Sequence, residues 1–132
     1  MNGRPEYVLD STALIALVLG EPGFERVQEL LEKSAISAVN LTETIHKLVQ
    51  KGSAGRSVEH LLQGLQLNVI AWSESLAYQS AEFAVLGTSH GLSLGDRACL
   101  TLAKQLKATA VTADLAWGKA PALGVKVLMF RS

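Results

Sequence analysis

Four acidic residues, Asp10, Glu43, Asp96 and Asp114, stand where an apolar segment gives way to a helix or where a helix opens. Asp10 follows Tyr7-Val8-Leu9 and precedes a helical pattern from Ser11, and Asp114 follows Thr109 to Thr112 and caps a short turn through Trp117. Glu43 falls in the first turn of a helix after Ala35 to Val39, and Asp96 in the first turn of a helix that begins near Ser93. Each has an ordinary explanation. Asp is a good N-cap, Asn40 to Glu43 and Ser93 to Asp96 have the spacing of a capping box, and a carboxylate near a helix start gains from the helix dipole. Capping alone gives no reason for the acids to converge. Asp96 also shares i, i+3, i+7 spacing with Cys99 and Ala103, which predicts that it lies on the buried stripe of its helix.

Several carboxylates in a partly desolvated pocket repel one another, so they must protonate, pair with cations or bind a metal. Few bases are near in sequence: Arg97 adjoins Asp96 but points away from it on a helix, and His46 and Lys47 sit about one turn beyond Glu43. An all-oxygen donor set without a Cys or His cluster selects Mg²⁺ or Mn²⁺ over zinc. Beside a phosphodiester, such an ion activates water for hydrolysis, as in many nucleases. Arg97 could then contact the scissile phosphate, or belong to a solvated helix face with Lys104. His46 could shuttle a proton near Glu43, although an exposed helix residue is the simpler reading. Cys99 reads as a small packed hydrophobe, and Trp72 and Trp117 as core or dimer contacts, because no basic residues are interleaved with them as in a base-stacking platform.

The elements that must position these residues alternate. Strand patterns at Tyr7–Leu9, Ala35–Val39, Leu67–Trp72, Thr109–Thr112 and Val125–Phe130 are separated by helical ones. The helices run from Ser11 to a stop at Gly20, then along Phe24, Val27, Leu30 and Leu31, then from an N-cap at Asn40 along Leu41, Ile45, Leu48 and Val49 to Gly52. Further stripes follow at Val58, Leu61, Leu62 and Leu65, at Leu76, Phe83 and Leu86 within Ser73 to Ser89 with Gly91 as a left-handed cap after His90, and from Ser93 to Lys107. Such alternation predicts a three-layer α/β/α fold with a parallel sheet of four to five strands. In an open parallel sheet, function gathers outside the carboxyl ends of the strands, where the strand order reverses.

The 132 residues, 48% hydrophobic, suit one domain spanning the chain. Lys plus Arg and Asp plus Glu are 12 each, so no global positive field gathers nucleic acid, and any polyanion must be held locally. Cys99 is the only cysteine, which excludes an intrachain disulfide and suits a reducing cytoplasm. The apolar run Ala13 to Leu19 is too short to span a bilayer and makes a poor signal peptide, so a soluble protein away from the membrane is expected.

Val8-Leu9-Asp10-Ser11-Thr12-Ala13-Leu14-Ile15-Ala16-Leu17 followed by Gly20-Glu21-Pro22-Gly23 resembles the N-terminal signature of PIN-domain ribonucleases, in particular the VapC toxins of bacterial toxin–antitoxin pairs. Asn40-Leu41-Thr42-Glu43, Leu92-Ser93-Leu94-Gly95-Asp96-Arg97-Ala98-Cys99-Leu100 and Val111-Thr112-Ala113-Asp114 resemble that family's later landmarks, in the same order. The resemblance implies a PIN-like fold in which Asp10, Glu43, Asp96 and Asp114 bind one or two Mg²⁺ or Mn²⁺ ions, with Ser11 and Thr112 assisting by hydrogen bonding. It implies hydrolysis of RNA, a homodimer and a cognate VapB-like antitoxin. Two other classes share parts of this pattern. A receiver-like signalling domain also gathers acids around Mg²⁺, but its middle strand should end in an Asp where this one ends in Ala71-Trp72. A catalytically inactive binding module would not need an intact acidic quartet.

Overall fold

The structure, a computed structural model, describes residues 3–84, 91–117 and 124–131. Its strands are β1 (Tyr7–Leu9), β2 (Ser34–Ser37), β3 (Asn68–Ile70), β4 (Thr109–Thr112) and β5 (Val127–Met129). All neighbours are parallel, in the order β3-β2-β1-β4-β5. The helices are α1 (Ser11–Leu19), α2 (Phe24–Leu30), α3 (Ala38–Gln50), α4 (Gly55–Gly64), α5 (Glu74–Gln79) and α6 (Leu94–Leu106), with a 3₁₀ turn at Leu31–Lys33. The order reverses between β1 and β4, so their carboxyl ends bound the crevice expected of such a sheet. A receiver-like sheet has the order 2-1-3-4-5, and the order here sets that alternative aside.

Because successive side chains on a strand face opposite ways, the central strands feed two cores. Val8 and Ala110, paired in register, pack with Leu76, Phe83, Cys99, Leu102 and Trp117 beneath α5 and α6. Leu9, Ile36 and Val111, also in register, pack with Leu14, Val27, Leu48, Val58, Leu62 and Phe130 beneath α1 to α4. The sheet is thus the middle of three layers. Trp72 packs partly buried against the first core and Trp117 is fully buried in it.

Several boundaries differ from the sequence reading. Asn40 does not cap α3: the cap is Ser37, which accepts from the Asn40 N–H at 3.1 Å, so the second strand ends and the helix starts earlier than the apolar pattern suggests. Asn40 is instead 1% exposed in the first turn. Ile45, Val49 and Leu61 lie 37%, 43% and 47% exposed instead of inward, because a helix on the sheet's surface buries only the Leu48 side of α3 and the Val58 and Leu62 side of α4. Ser73 caps α5 instead of opening it, and α5 ends at Gln79, short of the span read from the sequence; Leu76 and Phe83 are buried, whereas Leu86 and His90 lie outside the described residues. Gly91 has φ +68°, the left-handed conformation expected of it.

Candidate metal centre

The crevice is built from strand ends and helix starts. Asp10 ends β1 with its N–H donating to the Val111 carbonyl of β4 at 3.1 Å, and its side chain caps α1 by accepting from the Ala13 N–H at 2.9 Å. The Thr12 hydroxyl donates to the same Oδ1 at 2.6 Å, and the Thr112 hydroxyl donates to Oδ2 at 2.6 Å. Thr12 and Thr112 in turn accept the N–H groups of Ala113 and Asp114 at 3.1 and 3.0 Å, which ties the loop after β4 to the start of α1. The hydroxyl partner from α1 is therefore Thr12; among the described residues the Ser11 hydroxyl makes no hydrogen bond, although Ser11 is buried beside the site. An Asp followed two residues later by Thr was the signal for this contact.

Burial pushes the Asp10 carboxyl, 3% exposed, up to about 6. Three hydrogen bonds, from Thr112, Thr12 and Ala13, pull the other way without overcoming it, and the charge of Asp96 adds to the rise. Among the described residues no Lys, Arg or His forms an ion pair with Asp10, Glu43, Asp96 or Asp114. A buried carboxylate without a counter-charge is costly, and a cation is what would lower that cost.

Asp96 stands at the start of α6, half-buried and not on the fully buried stripe, because its Oδ2 accepts from the Ser93 N–H at 2.9 Å while Ser93 Oγ accepts from the Asp96 N–H at 3.1 Å. This is a complete capping box. The Arg97 Nε donates to the Ser93 carbonyl at 3.3 Å, so its guanidinium turns back on its own helix start and leaves Asp96 unneutralised. Asp114 Oδ1 accepts from the Ala116 N–H at 2.9 Å and caps the short turn at 115–117. Glu43 stands in the second turn of α3 and not the first, because the helix begins at Ala38, and it reaches α6 from there: its Oε1 accepts from Asn40 Nδ2 at 2.9 Å, and its carboxylate lies over Gly95. His46 is exposed on the same helix.

Cys99 lies on α6 beneath the acids. This buried thiol, bonded to the Val8 carbonyl at 3.7 Å, is pushed well up by burial first, and then by the charges of Asp10, Asp96 and Glu43, which all reach it. As the side chains stand, no group of three or more His, Cys, Asp or Glu among the described residues closes round an ion. The donor set nonetheless fits a hard divalent cation: it is all oxygen, Asp96 and Asp114 each commit only one carboxylate oxygen to their helix starts, and Asp10 Oδ2 carries a single hydrogen bond.

A PIN domain family model matches residues 7–123, and the chain belongs to the PIN-domain family. Comparison with curated protein sequences gives no match. Solved structures with the same fold include a chain of the DNA-bound VapBC of Salmonella typhimurium, 19% identical over 95% of this chain and 98% of that one, with a TM-score of 0.75. FitAcB of Neisseria gonorrhoeae is 22% identical over 94% of this chain and 97% of that one, with a TM-score of 0.65. VapC20 of Mycobacterium tuberculosis, a toxin that cleaves the sarcin-ricin loop, is 16% identical over 90% of this chain and 95% of that one, with a TM-score of 0.67. At such identities the likeness is one of fold. No described helix is long and apolar enough to cross a membrane.

Proposed function

We propose that this chain is a Mg²⁺- or Mn²⁺-dependent endoribonuclease, the toxin of a cytoplasmic toxin–antitoxin pair, acting as a single-domain homodimer with a VapB-like antitoxin as its inhibitor. The observation that carries this reading is Asp10, a buried carboxylate without a cationic partner among the described residues at the point where strand order reverses, with the Glu43 carboxyl group lying over Gly95, next to Asp96, across the same helix start. VapC20, similar in fold, is a toxin that cleaves the sarcin-ricin loop, and the VapBC assemblies support the antitoxin partner.

In this reading Asp10, Asp96, Asp114 and Glu43 hold one or two ions, and Glu43 serves as a ligand or as the base that orients water. A divalent ion held there supplies positive charge to the phosphate and lowers the pKa of water towards neutrality. Thr12 and Thr112 keep the Asp10 carboxylate in one orientation, Ser11 adds a polar group beside it, and Arg97 contacts the RNA phosphate. With no net charge on the chain, RNA is gripped locally. The apolar side chains left exposed on α1, α3 and α4, among them Leu19, Ile45, Val49 and Leu61, offer surface to a partner chain.

Purified protein incubated with total RNA should cleave it in Mg²⁺ or Mn²⁺, and chelation or Asp10→Asn should abolish cleavage. Cleavage that survives both changes would sink the reading. Mn²⁺ binding without cleavage of any RNA would favour a catalytically inactive binding module.

A further inference from the structure

Asn40 is 1% exposed, and every polar atom of its side chain is committed. One Nδ2 hydrogen goes to Glu43 Oε1 at 2.9 Å, the other to the Gly95 carbonyl of α6 at 3.0 Å, and Oδ1 accepts from the Ser37 hydroxyl at 2.8 Å. Its amide therefore links the end of β2, the first turns of α3 and the start of α6. Gly95 completes the arrangement from the other side. A Cβ built there would run into the Glu43 carboxyl group, all three of whose atoms would be its nearest neighbours, so that carboxyl group occupies the space a side chain would fill. Gly95 does not adopt a positive φ, which leaves this close approach as the reason for glycine. Asp96 is the next residue.

We propose that Asn40 and Gly95 are positioning residues that form the seat of Glu43: one amide and one missing side chain set where its carboxylate stands relative to Asp96 and so tune the affinity of the acidic centre for a divalent ion. This rests on the metal-centre reading above. A buried amide satisfied on all sides holds one geometry, because any rotation leaves a polar group unpaired. Groups that orient a metal ligand commonly set metal affinity by about 10- to 100-fold.

Gly95→Ala separates this role from a merely structural one. Alanine is the better residue inside a helix, and the atoms nearest its methyl group are the movable end of Glu43, so the variant should still fold cooperatively in chelator, with a loss of stability no larger than that of the Asn40–Glu43 hydrogen bond. The Mn²⁺ affinity of the folded protein, measured by calorimetry, should nevertheless fall by about tenfold or more. Asn40→Leu, similarly branched but without donors, should lose Mn²⁺ affinity to a like extent and lower kcat for RNA with little change in KM. Thr44→Val is the control: it removes a buried hydroxyl bond to the Asn40 carbonyl at 2.9 Å and leaves the partners of Glu43 intact, so Mn²⁺ affinity should not change. Wild-type Mn²⁺ affinity in Gly95→Ala and in folded Asn40→Leu overturns the proposal alone. Failure of the wild-type chain to bind Mn²⁺ overturns the metal-centre reading and this proposal with it.

Discussion

Asp10 makes the metal-free protein less stable as the solution becomes less acidic. Its carboxyl titrates near 3.8 in the unfolded chain and at about 6 when folded, with burial as the main cause. Between those values the folded chain holds a proton that the unfolded chain has released, so stability from this group is fully present below pH 3.8 and is lost as pH rises through about 6. At about 1.4 kcal/mol per pH unit, the interval costs about 3 kcal/mol, on the order of 10 °C in Tm for a chain of this size. The assay is thermal or urea unfolding in chelator from pH 4 to 8, on the wild type and on Asp10→Asn, which cannot titrate there. Other groups contribute to both curves, so the reading is the difference between them: wild type should decline relative to the variant by about 2.5 kcal/mol over this range, the remainder of the loss falling below pH 4. Mn²⁺ at neutral pH should restore much of the loss, because a cation favours the charged carboxylate. Parallel curves for the two proteins would refute the argument that Asp10 is held buried without a counter-charge.

Thr112→Val removes the 2.6 Å donor to Asp10 Oδ2 and the acceptor of the Asp114 N–H. It should cost about 1–3 kcal/mol by urea unfolding and push the Asp10 carboxyl higher still, steepening the decline with pH. Cys99, buried and with its thiol pushed well up, should resist a thiol-labelling reagent in the native protein and react at once in denaturant, as followed by mass spectrometry. Gly23→Ala places a methyl group 2.8 Å from the Phe130 carbonyl oxygen at φ +90°, and should cost about 2 kcal/mol or more in thermal unfolding.

Much of the fold was written in local pattern. The extended segments before Asp10 and Asp114, the Ser93 capping box, the Gly20 stop and the αβ alternation depend on residues within a few positions of one another, and short-range sterics and hydrogen bonding suffice to express them. The placing of Asp10, Asp96 and Asp114 at strand ends and helix starts was legible for the same reason, whereas Glu43, read into the first turn of its helix, stands in the second because α3 begins at Ala38. Helix faces were less so: a hydrophobic stripe identifies the side that packs but not how far a neighbour covers it, and Ile45, Val49 and Leu61 remain exposed for that reason.

What tertiary structure decided is the company these residues keep. Nothing in the local pattern orders β4 beside β1, yet that pairing brings Thr112 onto Asp10 from 102 positions away and makes Asp10 a buried charge instead of a simple cap. Asn40 read as a cap because caps are recognised by their own helix alone. Its amide is committed instead to Gly95, 55 positions on, and only the crossing of α3 over α6 could supply that partner. The sequence determined which carboxylates stand at the edge of the sheet, through interactions a few residues long. The strand order and helix crossing determined which of them are buried and what they bond to, because burial, hydrogen-bond partners and the resulting proton affinity depend on neighbours far away along the chain.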